Sequence, residues 1–534
     1  MEASFLSVTL GVVIVAVLGL IYRWLTKDRN FFLEKSIPSM DCKPLLGSLG
    51  PLILKRVTFY EFVQQIYDKF SDAKVFGLFF TMSRTFVIRD PELIKQIAVK
   101  DFEYFTDRRT LFGDENNDNP NLLFAKALGN LKGQKWRNMR ATLSPAFTGS
   151  RMRQMFCLME RYAEQMIAAV DRESAATGSV DYEMRDFCTR VANDIIATCA
   201  FGLEVNSLDD RENEFYKMGS KMVNFQRPTV MMKIFLNMLC PKLAVKLGLD
   251  LIDYEQGQYF SKLIKATIEA RETHGTVRPD IIHLLMQARK GKLKQSSNEA
   301  AEEKDTGFAT VEESQIGREQ IEGKLTEIEL IAQCLLFFLA GFDTISSLMQ
   351  FVAYELAINP EVQQKLYQEI ANDNASTLTY ETLQNSKYLD MVVSEGLRLW
   401  PPPATERICV RDYELKLENG HNFVIEKDCA VWFPVSAIHK DPQYFPNPNK
   451  FDPERFSQTN RNNINRDAYQ PFGIGPRNCI GSRFALMELK TIIYKLVQNY
   501  RIERYERTQV PIQLVKGLTG IVTENGMYLR FRKR

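Results

Sequence analysis

The chain has 534 residues, 45% of them hydrophobic and 25% charged, which is enough to bury a large core and is not the composition of a disordered protein. Its 68 Lys and Arg against 66 Asp and Glu leave a formal charge of +2, so nothing global points to nucleic acid as a partner. Nine cysteines stand singly without a C-x-x-C pair, and the four histidines share no helix face, which argues against a disulfide framework, a structural zinc site and a histidine metal site.

From Phe5 to Tyr22 the sequence is apolar apart from Ser7 and Thr9, and at about 1.5 Å rise per residue it comes close to spanning a bilayer core. Arg23, Trp24, Lys27 and Arg29 follow at once, where a signal peptide would carry small cleavage-site residues. Residues 1–28 are therefore predicted to be an uncleaved membrane anchor, with everything after Arg23 in the cytoplasm, a compartment that suits unpaired cysteines. Pro38, Pro44, Gly47 and Gly50 predict a short linker over 29–50, followed by one catalytic domain over 51–534.

Within that domain, Lys74–Phe80 and Cys429–Val435 read as short strands, and Ser150–Val170 and Pro360–Ile370 as helices. Pro228–Leu239 is unusually apolar for a connector, so either a membrane dip or core packing is open to it. Arg289–Lys324 is rich in Ser, Asn, Glu and Lys and predicts a solvated, mobile loop. Thr326 and Glu329 then form a capping-box pattern that opens a helix of about 33 residues, stopped at Asn359–Pro360. Its middle, Ile331–Phe342, is apolar nearly all round, but Asp343, Thr344, Ser346, Ser347 and Gln350 interrupt it, which favours a buried helix over a second membrane span. The fold class predicted is mainly α with small β-sheets.

Three further patterns carry chemistry. Glu395 and Arg398 lie three apart on one helix face before Pro401. Trp136 and Arg140 are spaced i, i+4. Phe472-Gly-Ile-Gly-Pro-Arg-Asn-Cys479-Ile-Gly481 surrounds one cysteine with Gly473, Gly475 and Gly481, expected to take positive-φ turns, and precedes a helix whose positive end favours a thiolate. An isolated cysteine is ordinarily a small buried apolar residue, and it is the neighbours that reverse this expectation.

The loop resembles the cysteine-ligand loop F-x-x-G-x-R-x-C-x-G of the cytochrome P-450 superfamily, with Phe472, Gly475, Arg477, Cys479 and Gly481 in place; five fixed matches would arise by chance about once in six thousand such sequences. Glu395 and Arg398 are similar to that family's E-x-x-R pair, with Arg455 as third member; Trp136–Arg140 is similar to its W-x-x-x-R, and Ala340-Gly-Phe-Asp-Thr344 to its A/G-G-x-D/E-T segment. The resemblance extends from anchor to C-terminus, and Phe308–Gly317 with the loop around it is most like insect microsomal members of family-nine type, which are associated with xenobiotic metabolism.

The resemblance implies the P-450 fold with haem b between the long helix and the cysteine loop, Cys479 as axial ligand, and Arg477, Trp136, Arg140, Arg108 and Arg407 toward the haem propionates. It also implies Thr344 and Asp343 as the dioxygen and proton residues, with Gly341 opening a groove in the helix, and Glu395, Arg398 and Arg455 as a structural ion network. Phe112, Phe124, Phe338, Ala340, Ala404 and Leu518 fall in the family's pocket-lining segments. The implied activity is insertion of one oxygen atom of O2 into lipophilic substrates. Electrons would come from NADPH through the flavins of NADPH–cytochrome reductase in the endoplasmic reticulum membrane, with cytochrome b5 as a second donor. Lys126, Lys132, Lys135 and Arg137 offer a local basic patch for such a partner, and a plain solvated face is the alternative. An isomerase or peroxide-using relative and a non-catalytic haem carrier are the competing readings; the Asp343–Thr344 pair speaks against the first.

Overall fold

The computed structural model describes residues 2–110, 112–113, 119, 122–291, 307–319, 325–373, 377–418, 420–518 and 520–534. The long helix Glu327–Ile358 is its axis. It opens with the expected capping box, Thr326 accepting from the Glu329 amide at 3.2 Å while the Glu329 carboxylate accepts from the Thr326 amide at 2.9 Å. The helix is apolar and long enough to cross a membrane, but most of it is buried, packed against the helices Met184–Ile196, Lys387–Leu399 and Ser482–Asn499. It is thus a core helix. Gly341 has a packing reason to be there: a Cβ at that position would lie 3.0 Å from Ile196 Cδ1, so glycine lets Met184–Ile196 come close.

Short strands complete the body: β1 Val75–Phe80, β2 Ser83–Ile88, β3 Ser179–Glu183, β4 Thr405–Ile408, β5 Tyr413–Lys416, β6 Asn422–Ile425, β7 Ala430–Phe433, β8 Tyr500–Glu503 and β9 Tyr528–Lys533. They form a four-stranded sheet in the order β1-β2-β7-β4, a three-stranded sheet β3-β9-β8 and the hairpin β5-β6. Strands β1 and β7 read as continuous apolar runs because the four-stranded sheet is covered on both faces; β5 and β6 alternate because one of their faces is wet. Parallel pairing of β2 with β7 joins the N-terminal strands to the segment before the cysteine loop.

Two expectations from sequence fail. The stretch 29–50 belongs to the globular body: Phe32 is fully buried with its ring 5.1 Å from those of Phe79 and Phe86, and the Met40 amide donates to the Gly77 carbonyl at the edge of β1. Proline and glycine there stop helices but leave edge pairing open, and Phe31-Phe32 was the overlooked apolar signal. The second failure concerns Arg289–Lys324. Residues 292–306 and 320–324 lie outside the described residues, but 307–319 is packed rather than solvated, with Ala309 and Ile316 buried and the Phe308 ring against Phe456 and Tyr469 at 4.9 and 5.3 Å.

Candidate active site

The loop 472–481 is built by its own backbone and then clamped from outside. The Cys479 amide donates to the Phe472 carbonyl and the Asn478 amide to the Gly475 carbonyl, each at 2.9 Å. Gly475 sits at φ +73, and a Cβ there would fall 2.0 Å from the Ala98 carbonyl oxygen, so only glycine fits; Gly473 is also left-handed at φ +77. Gly481 is not: at φ −93 it caps the helix Ser482–Asn499, and its amide bonds to the sulfur, so its place is set by the helix start and not by a turn.

Three carbonyls of this loop each receive a guanidinium. Arg407 Nη2 donates to Ile474 at 2.9 Å, Arg108 Nη2 to Arg477 at 2.7 Å and Arg140 Nη1 to Asn478 at 2.8 Å. The Arg477 side chain turns away, donating to the Thr106 and Leu131 carbonyls at 2.7 and 2.8 Å and lying 4.0 Å from the centre of the buried Trp136 ring. Trp136 thus meets Arg477 as a cation–π platform. Arg140 is committed to the protein: Nε and Nη2 hold the Glu313 carboxylate, at 2.7 Å for the closest contact, and Nη2 also reaches Asn478 Oδ1 at 2.8 Å. That is not the propionate-facing posture expected of Arg140, because Glu313 reaches it from a segment whose composition predicts a solvated loop.

Charge in this region is lopsided. Arg108, Arg407 and Arg477 repel one another, and burial is the largest cause holding each below the ordinary arginine range. The nearest carboxylates serve elsewhere or stand off: Glu406 pairs with Arg109 at 2.9 Å, and Asp107 is 3.8 Å from Arg477. Among the described residues, Arg108 Nε and Arg407 Nε are buried without a hydrogen-bond partner. Unpaired buried cations are costly, and such a cluster fits an anion with more than one carboxylate, as a haem presents.

Above the loop, the long helix is buried on either side of Ala340 and Thr344, yet these two, one turn apart, are exposed. Phe337, on the same face, packs its ring 5.3 Å from Phe147, and Phe147 lines a small pocket with Asn478, Cys479 and Glu313. The exposed face is therefore turned to the cysteine side. Cys479 has accessible surface although protein surrounds it, so its sulfur opens onto an internal cavity; burial pushes its thiol up, while the Gly481 amide, Arg140 and Arg108 favour the thiolate. The Thr344 hydroxyl donates to the Ala340 carbonyl at 2.5 Å, as mid-helix threonines do, leaving its oxygen free to accept from the cavity. Asp343 pairs with Arg185 at 3.1 Å; burial pushes its carboxyl up and Arg185 pulls it back.

Glu395, Arg398 and Arg455 do come together: Arg398 binds Glu395 through Nε and Nη2 at 2.7 and 2.8 Å, both side chains fully buried, and Arg455 Nε reaches Glu395 at 3.4 Å. The six pocket candidates do not form one wall. Ala340 faces the opening. Phe112 and Phe124 belong to a satellite cluster with Val230 and Leu251 under the helix Pro228–Leu239, and Ala404 and Leu518 are partly buried against the main core. Phe338 is fully buried among Phe201, Phe215 and Phe260, on the opposite face from Ala340, because residues two apart on a helix diverge by about 200°. Sequence reasoning missed Arg185 and Glu313, which lie 158 residues from Asp343 and 173 from Arg140, separations that no local spacing rule reaches. A separate cavity of about 300 Å³ beside Gly149–Ser174 contains none of these residues; its Arg161 and Arg172 are paired with Glu204 and Asp209.

The family model described as cytochrome P450 matches residues 38–530. Cytochrome P450 9e2 of Blattella germanica is 41% identical over 98% of this chain and 96% of its own length. Probable cytochrome P450 9f2 and probable cytochrome P450 9h1 of Drosophila melanogaster are 37% and 36% identical, covering 97% and 100% of this chain and the same shares of their own. The chain belongs to the cytochrome P450 family, and these relatives are its insect family-nine members. It is a haem-thiolate monooxygenase, which uses a redox partner and a lipophilic substrate.

Proposed function

We propose that Cys479 supplies the iron's thiolate and that Arg108, Arg407 and Arg477 take the carboxylates of a b-type haem lying between the cysteine loop and the Ala340–Thr344 face. The supporting observation is that Arg108 and Arg407, both buried beside this one loop, keep an orphaned Nε, with Arg477 a third buried guanidinium next to them. The haem supplies dioxygen activation and transfer of one oxygen atom to a C–H bond or heteroatom. The chain's own residues manage protons and water. Asp343, partly buried and balanced between burial and Arg185, holds or releases a proton; Thr344, its own hydrogen held on the Ala340 carbonyl, offers its oxygen as a hydrogen-bond acceptor that orients a donor in the cavity. Glu395, Arg398 and Arg455 fix the segment before that loop and take no part in chemistry.

The electron donor in this reading is NADPH–cytochrome reductase, with cytochrome b5 as an auxiliary, and the basic side chains Lys132 and Lys135 lie on the surface that would meet an acidic partner; Lys126 is only partly exposed, and Arg137 is already tied to Glu103 at 2.7 Å. The helix Glu2–Thr26, none of whose Thr9–Thr26 window is buried, anchors the enzyme in the endoplasmic reticulum membrane as residues 1–28, with the catalytic body on the cytosolic side. Exposed Met232, Leu243 and Leu247 on and after Pro228–Leu239 suit contact with a bilayer, the route by which xenobiotics, insecticides or endogenous lipophiles enter. The deciding experiment is the carbon monoxide spectrum of the reduced protein. Wild type should show the strongly red-shifted band of thiolate ligation and Cys479→His should lose it; a mutant that keeps the band would overturn the assignment.

A further inference from the structure

Residues 307–319 run across the cysteine loop as a strap. One end is held where the Phe308 amide donates to Asp390 Oδ2 at 2.9 Å, and Asp390 is itself paired with the buried Lys490 at 2.7 Å. The other end, the short helix Gln315–Arg318, packs on the helix Gly133–Leu143. Between them the Glu312 carbonyl accepts from Asn478 Nδ2 at 3.1 Å, and Glu313 takes Arg140 in a two-oxygen grip. Arg140 in turn holds both the carbonyl and the side-chain oxygen of Asn478, the residue before Cys479. Val311 and Glu313 line the same small pocket as the sulfur.

We propose that Glu313 is a positioning residue for Cys479: through Arg140 and the Asn478 peptide it fixes the path of the ligand loop, and its negative charge offsets that of Arg140 beside the sulfur. The inference rests on Cys479 being the iron ligand. Two consequences separate geometry from charge. A carboxylate bidentate on an arginine is a strong, directional contact, so loosening it frees the Asn478 peptide and lets the sulfur leave the iron more readily. Removing the charge leaves Arg140 uncompensated next to the thiolate, which draws electron density from the sulfur and makes the iron easier to reduce.

The test uses the full-length, haem-loaded protein in membranes and reads the midpoint potential of the iron and the rate at which the thiolate carbon monoxide band is lost on mild warming. Glu313→Gln, similar in shape but uncharged, should shift the potential in the positive direction and lose the band about tenfold faster. Glu313→Asp keeps the charge but is one methylene short of the two-oxygen grip; it should lose the band faster at an unshifted potential. Glu312→Gln, an exposed neighbour whose contact to Asn478 is through its backbone, should match wild type in both. The proposal is overturned if Glu313→Gln and Glu313→Asp are both indistinguishable from wild type, or if Glu312→Gln reproduces their effects. Absence of the thiolate band in wild type would instead refute the ligand assignment itself.

Discussion

Two groups of buried arginines flank the cysteine loop, and they are settled in opposite ways. Around Glu395 the charge is closed: Arg398 has a carboxylate on two nitrogens, and its remaining donors reach the His439 and Lys450 carbonyls at 2.9 and 3.2 Å. His439 completes the cluster as a neutral ring, pushed down to about 3 by burial and by Arg398; its Nε2 accepts from the Gln470 amide, so Nδ1 carries the hydrogen toward the Arg398 carbonyl. Around Arg407 the charge is open, with three cations in mutual repulsion and donors left over. The closed cluster needs nothing beyond the protein. The open one is destabilised until an anion arrives, and so can couple haem binding to completion of the fold.

Breaking each cluster should therefore have opposite consequences for the haem-free protein. Glu395→Ala leaves Arg398 buried without its anion and should cost about 3–5 kcal/mol, seen as a large drop in the thermal inactivation midpoint with or without haem. Arg407→Leu removes one of three like charges, so the haem-free body should be no less stable than wild type, while haem passes to an excess of a haem acceptor about tenfold to a hundredfold faster. Equal damage to the haem-free protein from both substitutions would show that the two clusters do not differ in kind.

What the sequence showed of these clusters follows from how far each contact reaches. Glu395–Arg398 is an i, i+3 pair on one helix and Trp136–Arg140 an i, i+4 pair, so spacing alone brought them to notice. The long helix, its capping box and its stop at Asn359 were legible because periodicity and caps are local. Glu313 was hidden by composition: the charged, serine-rich stretch around it reads as solvated, and nothing in a linear pattern says that Phe308, Ala309 and Ile316 fold back onto the core. Phe338 was misplaced for a related reason, since membership of the right helix does not fix the face. Gly481 was misread because a glycine before a helix serves as a cap as readily as a left-handed turn.

Glu488, in the helix that follows Cys479, sharpens the comparison from the other side. It is an acid buried as deeply as Arg407, and among the described residues neither of its carboxyl oxygens has a hydrogen-bond partner. Burial pushes its carboxyl well above the ordinary range, so it is folded in the protonated form. The unfolded chain gives up that proton near pH 4.3, after which the folded state binds more protons than the unfolded one, and stability falls as pH rises toward the folded pKa. Glu488→Met, close in volume and free of polar atoms, should remove this penalty. A gain of about 3 kcal/mol or more at neutral pH is expected, shrinking toward pH 4 to the smaller, pH-independent cost of burying an unpaired neutral carboxyl, measured as the difference in denaturation midpoint between variant and wild type across that range. A loss of stability at neutral pH, or a gain that does not change with pH, would mean that Glu488 is ionised and has a counter-charge, placing it with the closed cluster around Glu395.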